Sequence, residues 1–342
     1  MGELKYINEE KRYKVNTIKL FIFLCTITVL LTTNLYAKEI KKEIVIGCEN
    51  SVLPSAVWVA KSKGYFREEG LNVRIKEFDS GRDALVSMLR NRDTDICTVS
   101  QTPIVFHSFN RDDFSIIGTM VYSYNDIKVL VRQDKGIKKP TDLKGRKIGI
   151  TKGSAGQFYL NLFLNYNGLS CSDVDGIDIN APELPHALAD GRVDAISTWE
   201  PHIMAAMKIL GKKALILPGG NIFREDFYFV VNKSFIKDNP EALTVFLKAI
   251  ERGEKFLQKN REDSISIVSE RLKIDKITIA SVWDDFDFKL ILDQSIFISL
   301  EAQARWAIHD RLTEKREVPN YLDFIYMDAL EDVNPEAVTI IR

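Results

Sequence analysis

Two short loops combine glycine with small polar residues at points where an apolar run gives way to a helical pattern. The first is TKGSAG, Thr151–Gly156. Gly153 and Gly156 permit backbone conformations and close approaches closed to other residues. Ser154 is a natural N-cap, and the amides from Ala155 onward open the next turn with the positive end of the helix dipole. Such an arrangement holds a carboxylate, sulfonate or phosphate; a plain capped turn is the simpler alternative. The second loop is Ser80-Gly81-Arg82, followed by Asp83. Gly81 again permits a tight turn, and Arg82 is able to clamp an anion through paired hydrogen bonds or to remain solvated beside Asp83.

Three further places offer polar or aromatic groups. Ser100, Gln101 and Thr102 end an apolar run just before Pro103, with capping of the next helix as the alternative for Thr102. Asn50 and Ser51 stand in a similar position after the first apolar run. Trp199-Glu200-Pro201 closes a later one. Trp199 there is suited to stack on a flat ligand or cover an alkyl chain, or else packs on the helix that follows. Glu200, if it faces a ligand, favours one with amino or ring N–H donors over a bare anion; otherwise it caps its own helix.

Catalytic and metal chemistry find no comparable pattern. His107, His186, His202 and His309 are far apart and lack metal spacing, and Asp284, Asp285 and Asp287 lack the glycine and ligand spacing of a calcium loop. Trp58 and Trp306 sit in amphipathic helical patterns and read as packing. No Ser-His-Asp arrangement or nucleotide loop stands out. Four cysteines are too few and too scattered for a disulfide scaffold or a zinc pair. Cys48 and Cys97, at the ends of apolar runs, are expected as buried small hydrophobes.

The elements that must position these residues form one architectural phrase, written twice. From Glu43 it runs strand (EIVIG), loop, helix (PSAVWVAKSKGYF), strand (LNVRIKEF), loop, helix (RDALVSMLRN) and a further strand in RDTDICTVS. From Arg146 it recurs as RKIGI, TKGSAG, QFYLNLFLNYNG, DVDGIDI, NAPEL, PHALADG and RVDAISTW. Strands alternating with helices at this spacing predict right-handed βαβ units on a parallel sheet, with ligands at the carboxyl ends of the strands. Two such edges facing each other make a cleft. Extended runs at Phe114–Asp134 and Asp226–Ser234 are expected to join the lobes, and the helical remainder from Pro240 to pack back on the first.

Composition bounds the answer. The 342 residues fit two domains at roughly 100–200 residues each. Near-balanced charge, 47 basic against 48 acidic groups, offers no field to hold a phosphate backbone, so nucleic acid is not an expected partner. Residues 1–37 combine five basic groups, the apolar run Leu20–Leu31 and Ala37 before Lys38, which is the grammar of a secretory signal, with an uncleaved anchor as the alternative. The chain is therefore expected outside the cytoplasm, periplasmic or at the cell surface.

AKSKGYFREEGL (Ala60–Leu71), DSGRDALVSML (Asp79–Leu89), PTDLKGRKIGITKGSAGQFYL (Pro140–Leu160) and LADGRVDAISTWEP (Leu188–Pro201) stand in unbroken order. In these stretches the chain resembles the ABC-transporter substrate-binding proteins that take sulfonates, nitrate, taurine and thiamin-pyrimidine precursors. The resemblance implies an α/β, two-lobed type II periplasmic-binding fold, each lobe a mainly parallel sheet flanked by helices, with extra C-terminal helices. It places residues 38–130 and 230–342 in lobe one and 131–229 in lobe two. It also implies a monomer that closes on a small molecule and delivers it to a membrane permease, with no cofactor. The ligand contacts expected are Ser51, Ser80, Gly81, Arg82, Ser100, Gln101, Thr102, Gly153, Ser154, Ala155, Trp199 and Glu200. Gly81-Arg82 departs from the commoner Gly-Pro or Gly-Gly of the family. Two other functions fit the same fold: an input protein for a separate signalling partner, and an enzyme like the yeast pyrimidine synthase, whose cysteine-rich segment this chain lacks.

Overall fold

The doubled phrase becomes two sheets within one compact unit, Lys42–Arg342. The computed structural model describes residues 41–341, so the expected signal segment at 1–37 lies outside the described residues. Sheet one is begun by β1 (Lys41–Glu49), β2 (Leu71–Phe78), β3 (Ile96–Ser100) and β4 (Phe114–Ser123). The chain then builds sheet two from β5 (Lys128–Arg132), β6 (Lys147–Ile150), β7 (Asp175–Asp178), β8 (Ala195–Thr198) and β9 (Ala214–Ile216). It returns to sheet one through β10 (Glu225–Asn232) and β11 (Phe286–Ile291).

Each lobe repeats the same helices. Helix α1 (Ser55–Ser62) follows β1, α2 (Gly81–Asn91) follows β2, and α3 (Gln101–Ser108) follows β3. In lobe two their counterparts are α4 (Ala155–Tyr166) after β6, α5 (Leu184–Ala189) after β7 and α6 (His202–Leu210) after β8. The C-terminal part adds α7 (Pro240–Lys259), α8 (Arg261–Leu272), α9 (Lys276–Trp283) and α10 (Ser295–His309).

The strand orders are β2-β1-β3-β10-β4-β11 and β7-β6-β8-β5-β9. β1 runs parallel to β3, and β6 runs parallel to both β7 and β8, as βαβ units require. β10 is antiparallel to its neighbours β3 and β4, and β5 to β8 and β9. The cause is shared. Each of these is the first strand after a crossing, so it enters its sheet from the cleft edge and runs away from it, against strands whose carboxyl ends face the cleft.

The crossings occupy residues 124–127 and 217–224, so the expected divisions near 130 and 230 fall inside β5 and β10. Burial explains the difference. β4 and β10 are buried almost end to end, polar residues included, and their burial carries no mark of where a strand leaves one sheet for the other.

Helix α7 lies directly on α1: a Cβ at Gly253 would stand 2.5 Å from the Ala56 carbonyl oxygen, and Phe246 stacks on Phe66 at 5.6 Å. Helix α10 touches both lobes, with Trp306 edge-on to Phe106 at 6.0 Å and to Phe158 of α4 at 5.0 Å. Cys48 and Cys97 are buried thiols. Among the described residues no helix is long and apolar enough to cross a membrane.

Candidate functional site

Helices α2 and α4, one from each lobe, begin at a common cavity. Ser80 caps α2, accepting the Asp83 amide at 3.2 Å and donating to Asp83 Oδ2 at 2.8 Å. The Gly81 amide donates to Glu49 Oε2 at 3.0 Å. A side chain of the protein therefore already holds the anion position at this helix start. A Cβ at Gly81 would stand 2.9 Å from both the Thr98 oxygen and the Val99 Cα, so only glycine lets the helix press on β3. Gly156 repeats the device in α4, 2.8 Å by the same measure from the Ser197 carbonyl oxygen. Ser197 Oγ in turn donates to the Gly156 oxygen at 2.8 Å.

Ser154 occupies the N-cap position of α4 but does not cap it. Its hydroxyl donates backward to the Thr151 carbonyl at 2.6 Å, leaving the first turn without a side-chain acceptor. Gly153 adopts φ +71°, a conformation that favours glycine, and its amide donates to Gln157 Oε1 at 2.8 Å.

The cavity between the two helix starts measures about 20 Å³, room for roughly one water. Lobe one lines it with Glu49, Ser80, Gly81, Arg82, Ser100 and Pro103. Lobe two contributes Ser154, Ala155 and Trp199, and the returning strand β10 contributes Glu225 and Phe227. Arg82 crosses the cleft, donating from Nη1 to the Lys152 carbonyl at 2.8 Å. Beyond Arg82 a hollow of about 280 Å³ opens, bounded by Asp79, Asp83, Asn180 and Glu183. A larger groove of about 740 Å³ runs separately between α4 and α10, past Leu160, Asn161 and Trp306.

Carboxylates dominate the electrostatics. Burial pushes Glu49 up to about 6, against the hydrogen bonds from Ser51 and Gly81. Burial, reinforced by repulsion from Asp126, Glu49 and Asp226, holds Glu225 well above the usual carboxylate range. Asp126, in the first crossing, is raised chiefly by burial, with Lys128 opposing and Glu200 adding repulsion. Asp226 is pushed up to about 6 by burial despite its contact with Arg224. Lys128 lies 3.4 Å from Glu200 Oε1 and 3.6 Å from Asp285 Oδ2.

Of the twelve expected contacts, the structure brings Ser80, Gly81, Arg82, Ser100, Ser154, Ala155 and Trp199 to the cavity wall. Gly153 shapes the loop one residue behind it. Ser51 stands behind Glu49, donating to its Oε1 at 2.9 Å. Three others turn into the protein. Gln101 binds the Arg224 carbonyl, Asp226 and Ser299, each at 3.1 Å, and Thr102 donates to Gln303 at 2.6 Å. Both residues belong to the first turn of α3, whose flank meets the C-terminal helix α10. Glu200 accepts the Met204 amide at 3.0 Å, capping its own helix, and does not line the cavity.

Glu49, Pro103, Glu225 and Phe227 line the cavity without having been singled out in the sequence. The available signal was a charged residue abutting a wholly apolar strand, in EIVIGCE and in REDFYFVV.

Fold and cleft together define a two-lobed protein of the periplasmic-binding-protein architecture. The chain belongs to the family described as NMT1/THI5 like, whose profile matches residues 55–264. A Bacillus subtilis relative carries the provisional name aliphatic sulfonates-binding protein; it is 29% identical over 245 residues, 70% of this chain and 73% of the relative. The alkanesulfonate-binding protein SsuA from Xanthomonas axonopodis pv. citri, solved bound to MOPS, superposes with a TM-score of 0.73 at 20% identity. That match covers 84% of this chain and 99% of SsuA. The desulfurization enzyme DSZB superposes at 0.64 with 14% identity, over 86% of this chain and 99% of its own. The fold by itself therefore does not separate binding from catalysis.

Proposed function

We propose that this protein is the extracytoplasmic solute-binding receptor of an ABC importer. It closes its two lobes on a small organic or anionic molecule and passes that molecule to a membrane permease. The observation that carries this reading is the meeting of α2 and α4, from opposite lobes, at one cavity walled by Trp199 and Phe227. A ligand held there touches both lobes at once, so binding and closure are one event. The names of the relatives support the same reading and put alkanesulfonates among the first compounds to try.

Thermal unfolding of the protein against alkanesulfonates, taurine, nitrate, bicarbonate, aminopyrimidines and aromatic acids tests it. A ligand at 100 times its Kd stabilises by about 2.7 kcal/mol, which moves the midpoint by several degrees. One chemical group should give that shift, and Trp199→Ala should shrink it far more than it lowers the ligand-free midpoint. A cooperatively folded protein that responds to no member of the panel would remove these ligand classes, and equal shifts in parent and variant would take Trp199 out of the site.

A further inference from the structure

The acid side chains at the cleft are arranged for a particular kind of ligand group. Glu225 is 3% exposed and lines the cavity, yet its Oε2 is buried with no hydrogen-bond partner. Asp126 is 1% exposed; its Oδ1 accepts the Glu200 amide at 3.3 Å, and its Oδ2 is likewise unpartnered. A buried carboxylate oxygen left unpaired costs free energy that a hydrogen-bond donor would restore.

The neighbouring cations make their direct contacts with other groups, and of them Lys128 also acts on Asp126. Arg224 sits on Asp226 at 2.6 Å and faces Asp293 at 3.7 Å. Lys128 faces Glu200 and Asp285. Arg82, on the same cavity wall, donates to the Lys152 carbonyl and lies 3.6 Å from Asp83. The acidic groups that act on Glu225 are Asp126, Glu49 and Asp226, with the Ser100 side chain opposing them. Glu49 already fills the anion position at the start of α2, so an incoming sulfonate would meet like charge there. Among the described residues no three His, Cys, Asp or Glu side chains are placed to hold a metal ion, so the donor argued for is an organic one that takes the place of the water the cavity of about 20 Å³ has room for.

We propose that Glu225, with Asp126 behind it, receives the nitrogen of an organic cation, an amine, amidine or guanidine, and so sets the cleft's preference for such ligands over simple sulfonates. This deepens the receptor reading and rests on it. Titration calorimetry of the full chain with benzylamine and benzamidine, against butanesulfonate, decides the matter. At least one nitrogen probe should bind, and Glu225→Gln should weaken it tenfold or more while leaving butanesulfonate no worse. Gln keeps the volume and removes the buried acid, so the variant is expected to fold; Asp126→Asn gives a second reading, with a smaller loss of the same probe. Undiminished binding of the nitrogen probe by Glu225→Gln would overturn the proposal. So would a wild-type protein that binds butanesulfonate but neither nitrogen probe, an outcome that leaves the receptor reading standing. Silence from both series removes the proposal and counts against the receptor reading as well.

Discussion

Glu49 accepts hydrogen bonds from the Ser51 hydroxyl and the Gly81 amide, and its carboxyl still titrates at about 6, because burial outweighs both. Its folded pKa lies above the ordinary 4.5, so the folded state keeps a proton that the unfolded chain releases. The stabilisation is complete below about pH 4.5 and is lost as pH rises through 6. A rise of one and a half units corresponds to about 2 kcal/mol. Buried His202, lowered to about 4 mainly by burial, works in the opposite direction, so the clean quantity is a difference between two proteins. Urea unfolding of wild type and Glu49→Gln should give a stability difference, wild type minus variant, that falls by about 2 kcal/mol between pH 4 and 7 and is flat above. A difference that rises with pH, or does not move, would show that Glu49 is not a charge held against its burial. Glu49 and Glu225 carry no local mark in the sequence, because an isolated glutamate beside a strand is usually a solvated one. What distinguishes these two is long-range packing: the start of α2 reaches Glu49 from thirty-odd residues away, and the returning chain puts Glu225 in the cleft.

The helix starts were the most legible part of the site, since their signals are local. Glycine and serine between an apolar run and a helical run placed Ser80, Gly81, Ser154 and Ala155 on the cavity wall, and Gly153 immediately behind it. The residues that turn away from the cavity share a cause. Gln101, Thr102 and Glu200 are polar residues at strand ends, like Ser100 on the cavity wall, but their neighbours in space are α10, the crossing and their own helix turn. None of these is visible in local spacing. Gly81 and Gly156 make a stronger claim than their turn chemistry, because each presses a helix onto the central strand of its lobe. In an open helix Gly→Ala stabilises by up to about 1 kcal/mol. At these two positions the added Cβ meets backbone atoms at 2.9 and 2.8 Å, and backbone cannot swing aside. Overpacking of this kind costs typically 1–3 kcal/mol. Gly81→Ala and Gly156→Ala should therefore each destabilise by about that much in urea unfolding, and the first should also disturb the Glu49 contact. A gain in stability from either would mean that the helix start moves freely on its strand.

At the scale of the whole molecule, the two-lobed plan followed from repetition in the sequence, while the crossings did not. Residues 124–127 and 217–224 are short links between buried strands, and only the pairing of β5 and β10 with their antiparallel neighbours reveals them. Their brevity matters for motion. A rotation of one lobe against the other, as the proposed closure requires, would be concentrated in two short links, against contacts that lie on either side of α4. Among them are Arg82 on the Lys152 carbonyl, Trp306 against Phe158, and Asn161 donating to Asp310 at 3.1 Å, with Lys128 3.6 Å from Asp285 beside the first crossing. A single net hydrogen bond is worth about 0.5–1.5 kcal/mol, so removing Arg82's should move the ratio of open to closed molecules by about two- to tenfold. Small-angle scattering of Arg82→Ala without ligand should accordingly give a larger radius of gyration than the wild type. A ligand that binds both lobes supplies its own bridge, and saturation should return the two proteins to one compact profile. Wild-type profiles that coincide with and without a saturating ligand would refute closure. An Arg82→Ala profile identical to wild type would instead leave Trp306 on Phe158, Asn161 on Asp310 and Lys128 beside Asp285 to hold the lobes together.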